Sequence, residues 1–272
     1  MQSKADRVTT NRVEDAHRES AAIEARGITH RYRTAGGEVL ALEDVDVTAD
    51  RGRFVSIVGP SGCGKSSLLM ILAGLLQPSE GKRYLLGTAS TGPQPRELAV
   101  AFQDACLLPW RTALDNVAFP LELKGMRKAD RVQLGRDALA KVGLESFADR
   151  YPRELSGGMR QRVAVARALI QKPSVLLMDE PFGALDEQTR MDMGEELLTL
   201  WDEIRNTVVF VTHNLTEAVY LSDEVVVMAA HPGRVIKRIP IDLPRPRSIE
   251  ITETEEFIRL RNSLWRLIRS QE

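Results

Sequence analysis

The stretch VSIVGPSGCGKSSLL, residues 55–69, decides the fold. It fits the P-loop pattern G-x-x-x-x-G-K-[ST], with Gly59, Gly64, Lys65 and Ser66 in the fixed places. The apolar run Phe54–Val58 predicts a buried strand feeding the loop, and residues 67–75 predict a helix leaving it. Gly59, Gly62 and Gly64 let the backbone curl until successive N–H groups converge on phosphate oxygens. The helix N-terminus adds partial positive charge at the same place. Pro60, Ser61, Cys63 and Ser67 complete the loop's lining. In such a loop Lys65 reaches the β- and γ-phosphates and Ser66 offers its hydroxyl to Mg²⁺. The stretch implies a nucleotide site. Cys63 sits where a helix terminus lowers a thiol's pKa, which predicts alkylation that bound nucleotide blocks.

Composition sets the limits around this loop. With 272 residues, 43% of them hydrophobic, the chain can bury a substantial core in one large domain or two modest ones. Lys+Arg (37) and Asp+Glu (38) nearly cancel, so no global field draws it to nucleic acid or anionic lipid. Cys63 and Cys106 are too few for a disulfide framework and point to a reducing compartment. No apolar stretch approaches a membrane span, and residues 1–20 lack the apolar core of a signal peptide. The expectation is a soluble chain that meets a membrane through a partner.

Along the chain, residues 1–21 read as a polar, disordered extension. Residues 23–33 and 39–47 read as strands about a turn at Gly36 and Gly37. Tyr32 lies there; an aromatic upstream of a P-loop can stack on a purine, and an isolated tyrosine near a turn can equally be packing. Residues 98–102 form an apolar strand that delivers Gln103, either a side chain able to orient water or a metal-bound oxygen or an ordinary polar residue at a strand end. Residues 107–110 (LLPW) place apolar side chains in a loop, a pattern of partner contact. Residues 112–150 turn helical. Ser156, Gly157 and Gly158 then open another helix, with Ser156 as its N-cap and Arg160, Arg162 and Arg167 as a solvated face.

Residues 174–178 (SVLLM) are an unbroken apolar strand suited to the middle of a parallel sheet. It delivers Asp179 and Glu180 side by side. An aspartate after such a strand can hold Mg²⁺, and a neighbouring glutamate can polarise the attacking water as general base. A tight loop follows to Asp186, and a helix over residues 188–205. Residues 207–212 form one more buried strand, ending at His213, either a donor to a γ-phosphate oxygen or a structural histidine. Residues 225–228 and 235–243 read as strands. Residues 254–269 read as an amphipathic helix with Phe257, Leu260, Leu264, Trp265 and Ile268 on its apolar side.

GPSGCGKSS, Gln103 after a strand, LSGGMRQR, LLMDEPFGALD and VTH at His213 occur in this order. Together they resemble the ATPase subunit of ABC transporters over residues 23–228. The resemblance implies an α/β fold, a P-loop NTPase core of mainly parallel sheet with flanking helices. To that core it adds an N-terminal antiparallel β part and a helical subdomain. Two such subunits would pair head to tail around two ATP molecules and Mg²⁺. Ser156, Gly157 and Gly158 would contact the γ-phosphate on the other subunit, Asp186 would lie at the dimer interface, and Tyr32 would stack on adenine. Gln103 would join Ser66 and Asp179 at the metal, and Lys65, Glu180 and His213 would carry the chemistry. Met159 stands where the commonest signature has glutamine. FQDACLLPWRTALDNV, residues 102–117, and HPGRVIKRIPIDLPRPR, residues 231–247, are similar to the nitrate/sulfonate/taurine importer branch. That branch implies two copies of a membrane permease, a substrate-binding protein outside the cell and a place on the cytoplasmic face of the membrane.

The expected division is an extension over 1–21, the ATPase domain over 22–243 with its helical subdomain at 104–170, and a C-terminal linker and helix over 244–272. A chromosome-type ATPase needs a long coiled coil between P-loop and signature, and only ninety-one positions separate Lys65 from Ser156. A GTPase needs an N-K-x-D guanine motif, which the sequence lacks.

Overall fold

The computed structural model describes residues 20–183 and 185–270, so residues 1–19 of the predicted extension lie outside the described residues. Strands β1 (Ala21–Thr34), β2 (Gly37–Asp50), β4 (Glu80–Leu85) and β5 (Thr88–Ala89) form an antiparallel sheet ordered β2-β1-β4-β5. The second sheet is ordered β10-β9-β3-β8-β7-β6. In it β3 (Phe54–Val58), β6 (Leu98–Ala101), β7 (Val175–Asp179), β8 (Thr207–Val211) and β9 (Glu224–Ala229) run parallel. β10 (Arg234–Pro240) closes one edge antiparallel.

Strands β3, β7 and β8 are buried at every residue, which is why they read as continuous apolar runs rather than alternating ones. Their side chains still alternate between two cores. Phe54, Val58, Leu176, Met178, Val208 and Phe210 enter the larger, and Val55, Ile57, Val175, Leu177, Val209 and Val211 the smaller. The smaller core is shared with α1 (Lys65–Ala73) and the antiparallel sheet. The larger takes in α2 (Ala113–Leu123), α3 (Lys128–Lys141), α4 (Gly157–Leu169), α5 (Glu187–Ile204), α6 (Leu215–Leu221) and α7 (Glu255–Arg269).

Local chemistry sets the helix ends. Gly64, left-handed at φ 86°, precedes α1, so the helix begins at Lys65 rather than at residue 67. Thr112, Ser156, Asp186 and Thr254 cap α2, α4, α5 and α7 with their side-chain oxygens. Helix α6 has only a short start signal in the sequence and is absent from the predicted elements. Asn214 followed three residues later by Glu217 is its start signal, and Asn214 Oδ1 accepts from the N–H groups of Thr216 and Glu217.

Helix α7 buries Phe257 and Leu264 in the larger core, with Leu260 and Ile268 packed against it. Trp265 departs from expectation: it is 52% exposed, with the Arg269 guanidinium over its ring. At 100° per residue it lies about a quarter-turn from the line through the buried residues, outside the contact stripe.

All five parallel strands point the same way, so the loops after β3, β6, β7 and β8 share one rim. Ligands of open α/β sheets bind at that rim.

Candidate nucleotide site

β3 runs directly into the 59–64 loop, and β6 ends two residues before Gln103, which is exposed. β7 ends on Asp179, with Glu180 next, and β8 ends two residues before His213. Pairing of Ala101 with Met178, and of Asp179 with Val211, brings the three strand ends level. Because the strands are in register, Gln103, Asp179, Glu180 and His213 follow strand ends along one rim, and Gln103 makes no side-chain contact with the other three among the described hydrogen bonds.

The loop is closely packed beneath. A Cβ on Gly59 would lie 2.6 Å from the Met228 carbonyl oxygen and 2.7 Å from Cys63 Sγ. Lys65 Nζ donates to the carbonyls of Gly59 and Pro60 at 2.9 and 3.0 Å, which holds the ammonium over the loop. Ser66 Oγ donates to Asp179 Oδ1 at 3.2 Å, joining the loop to the end of β7. Burial pushes the Asp179 carboxyl up, with Glu180 adding to the effect and the Ser66 hydroxyl opposing it. Among the described residues no group of three or more His, Cys, Asp or Glu side chains could hold a metal ion. One carboxylate and one hydroxyl beside a phosphate cradle is a donor set of hard oxygens, and it fits Mg²⁺ that keeps water and substrate phosphate as its other ligands.

Glu180 has a left-handed backbone, φ 43°, unusual for a residue with a Cβ and costing on the order of 1–3 kcal/mol. Its N–H donates to Val211 O at 2.9 Å, and its Oε2 lies 2.8 Å from His213 Nδ1. Strained backbone is thus found where a carboxylate meets an imidazole, one residue past the Asp179 that bonds Ser66. Tyr32 stands beside α1: its hydroxyl lies 2.9 Å from Ser67 Oγ and its ring meets His30 edge-on at 4.5 Å. It remains 40% exposed, with aromatic surface free for a ligand.

Ser156, Gly157, Gly158 and Asp186 form a second group. Ser156 Oγ accepts from Met159 N at 3.2 Å. A Cβ on Gly158 would lie 2.5 Å from Leu185 Cδ2, so the start of α4 packs on the loop that leads to Asp186. Asp186 accepts from Thr189 N at 3.0 Å and from its hydroxyl at 2.7 Å. The Thr189 N–H, followed by its hydroxyl, holds the Asp186 carboxyl below the usual carboxylate range. Ser156 and Asp186 are both exposed.

Two expectations fail here. Cys63 is wholly buried against Gly59, and burial pushes its thiol up despite nearby Lys65. A helix terminus lowers a thiol's pKa only where water can also solvate the thiolate, and Cys63 faces the core. The arginines after the signature are not a solvated face either. Arg167 donates to Ala105 O at 2.6 Å and Cys106 O at 2.8 Å, and Arg160 to Leu155 O at 2.6 Å. Gln161, buried, donates to Phe102 O at 2.8 Å, so Gln161 and Arg167 together hang the Gln103 segment from α4. No local pattern announces such long-range bonds.

A phosphate cradle, a hydroxyl–carboxylate pair and a carboxylate–imidazole pair on one rim suit attack of water on a terminal phosphoryl group. Known proteins agree. Residues 42–183 match the family model described as ABC transporter. An uncharacterized ABC transporter ATP-binding protein of Methanocaldococcus jannaschii is 44% identical over 95% of this chain and 96% of its own. The taurine import ATP-binding protein TauB of Escherichia coli is 44% identical over 86% of this chain and 93% of its own. The dimeric post-hydrolysis structure of the ATP-binding cassette MJ0796, bound to ADP and Pi, superposes with a TM-score of 0.75 at 32% identity. It covers 82% of this chain and 100% of that one. Site, fold and relatives converge, and the chain belongs to the ABC transporter family as an ATP-binding cassette that hydrolyses ATP.

Proposed function

We propose that this chain powers an importer for a small anionic solute, an aliphatic sulfonate, taurine or nitrate. It works as a homodimer on two copies of a membrane permease, fed by an external substrate-binding protein, at the cytoplasmic face of the inner membrane. The observation that carries this reading is the identity with TauB over most of both chains. Among the described residues no helix is long and apolar enough to cross a membrane, which fits a permease supplied by another chain.

Residues 22–243 form the cassette in this reading, with its helical subdomain at 104–170 and the terminal helix appended over 244–272. A groove of about 950 Å³ is lined by Leu108, Phe119 and Leu123 together with Arg96, Lys124 and Arg167, and no carboxylate lines it. Trp110, 71% exposed, lies in the same loop as Leu108. An apolar, cationic groove next to the Gln103 segment is where a cytoplasmic segment of the permease would press.

Within the site, Lys65 and the 59–67 loop bind the ATP phosphates, and Tyr32 stacks on adenine. Ser66, Asp179 and Gln103 would hold Mg²⁺, which would supply positive charge beside the phosphates. Glu180 takes the proton of the attacking water, and His213 orients Glu180 and donates toward the γ-phosphate. Ser156, Gly157, Gly158 and Asp186 face the nucleotide of the second subunit.

The test is growth of a strain lacking this gene, with taurine or an alkanesulfonate as sole sulfur source and nitrate as sole nitrogen source. Loss of growth on sulfonates alone fixes the solute class. Loss on nitrate alone moves the assignment within the branch, and normal growth on all three removes the proposal.

A further inference from the structure

Glu180 and His213 belong to a closed ring of contacts that runs through α5 and α6. From Glu180 the chain runs through the loop to α5, and there Arg190 reaches back. Arg190 Nη2 donates to Leu185 O at 2.8 Å and Nε to Phe182 O at 3.4 Å. Nε also lies 3.3 Å from Glu217 Oε1 on α6, and Nη1 pairs with Glu187 at 2.9 Å. The other oxygen of Glu217 accepts from the Thr212 hydroxyl, which itself accepts from Asn214 N at 2.9 Å. Thr212 and Asn214 flank His213, and His213 Nδ1 closes the ring on Glu180 at 2.8 Å.

We propose that Arg190 is a positioning residue for ATP hydrolysis. With Glu217 and Thr212 it holds the Glu180–His213 pair in geometry and ties that pair to the loop carrying Asp186. The chemistry of the group explains the choice. Guanidinium presents five donors in a rigid plane, so one side chain serves two carbonyls and two carboxylates, which an ammonium cannot do in fixed geometry. The Arg190 and Glu217 side chains are only 15% and 7% exposed, so solvent screens their interaction little. A buried pair of this kind adds little net stability over apolar residues of the same volume; its gain is a defined arrangement. Leu185, whose carbonyl Arg190 holds, also packs its side chain where a Cβ on Gly158 would fall. The ring therefore touches the second group of site residues as well as the first.

A structural staple between α5 and α6 makes a different prediction from a positioning residue. Steady-state ATP hydrolysis by the full chain separates them, using Arg190→Met, Arg190→Lys and Glu217→Gln. Positioning predicts a kcat about 10-fold lower or more in Arg190→Met and Glu217→Gln, since small displacements of reacting groups cost that much. KM and calorimetric ATP affinity stay within about twofold of wild type, Arg190→Lys recovers part of the loss, and the Arg190→Met/Glu217→Gln double variant is no worse than the poorer single one. Wild-type kcat per folded molecule, a rise in KM at unchanged kcat, or losses that multiply in the double variant would overturn the proposal. Glu217→Gln keeps the side chain's volume but offers one acceptor oxygen where the carboxylate offers two, so it breaks one of the links to Arg190 and Thr212 and carries the test alone if Arg190→Met does not fold. The inference rests on the assignment of Glu180 and His213 to the chemistry. Glu180→Gln run in parallel separates the two failures, because wild-type turnover there removes the assignment itself.

Discussion

Replacing Arg247 with methionine should cost the fold a measurable share of its stability, although Arg247 lies far along the chain from the phosphate loop. The residue is buried, and its Nη1 donates to Ser222 O at 2.7 Å, Tyr220 O at 2.9 Å and Val219 O at 3.2 Å, the last carbonyls around α6. Nη2 adds longer bonds, both 3.3 Å, to Ile241 O and Leu243 O. One guanidinium thus closes the C-terminus of the helix that follows His213 and pins the tail onto it. Burial, with Arg245 beside it, pushes Arg247 down to about 10, so it keeps its charge at neutral pH. Hydrogen bonds from a charged donor contribute about 1.5–3 kcal/mol each, so the two short ones sum to roughly 3–6 kcal/mol. Methionine fills most of the stem's volume and removes a costly buried charge, which offsets about half of that. The net expectation is about 1.5–3 kcal/mol, or a Tm lower by about 3–12 °C for a chain of this size. Urea unfolding of wild type and Arg247→Met at pH 7, with an unchanged slope, reads the difference directly. A variant within about 0.5 kcal/mol of wild type would refute the reasoning, since the carbonyls would then have found other donors.

Three further outcomes follow from the site. Gly59→Ala should abolish ATP binding by calorimetry and destabilise the fold by about 1–3 kcal/mol, because the new Cβ meets a backbone carbonyl at 2.6 Å. Thiol titration of the native chain should label the exposed Cys106 quickly and Cys63 only on unfolding, with or without ATP; fast labelling of Cys63 would contradict its burial. The folded Asp186 carboxyl lies below its unfolded value, so its contribution is present above the ordinary carboxylate range and is lost as pH falls through the folded pKa. Urea midpoints of wild type and Asp186→Ala should therefore converge toward acid and separate toward neutral pH; a pH-independent gap would count against the carboxylate cap.

Much of the fold was legible residue by residue. Buried parallel strands announce themselves as apolar runs such as SVLLM and TVVFVT, and each is followed by the polar residue it delivers to the rim, Asp179 and His213. The loop glycines, the Ser156 cap and the amphipathic terminal helix are equally local statements. The misplaced side chains share one cause, which is direction. Cys63 turns inward, Trp265 outward, and Arg167 onto the carbonyls of residues 105 and 106, because partners distant in the chain decide where a side chain points.

The sequence by itself determined the phosphate loop, the α/β class and the residues at each strand's end, since these follow from short-range spacing and periodicity. Only the tertiary structure decided that Asp179 meets Ser66, that Glu180 meets His213 on a strained backbone, and that Arg190 and Arg247 stand behind them. Those contacts join residues tens to more than a hundred positions apart, or depend on which neighbours fill a buried guanidinium's donors. Burial and strand register set them, and neither is written in any local run of residues.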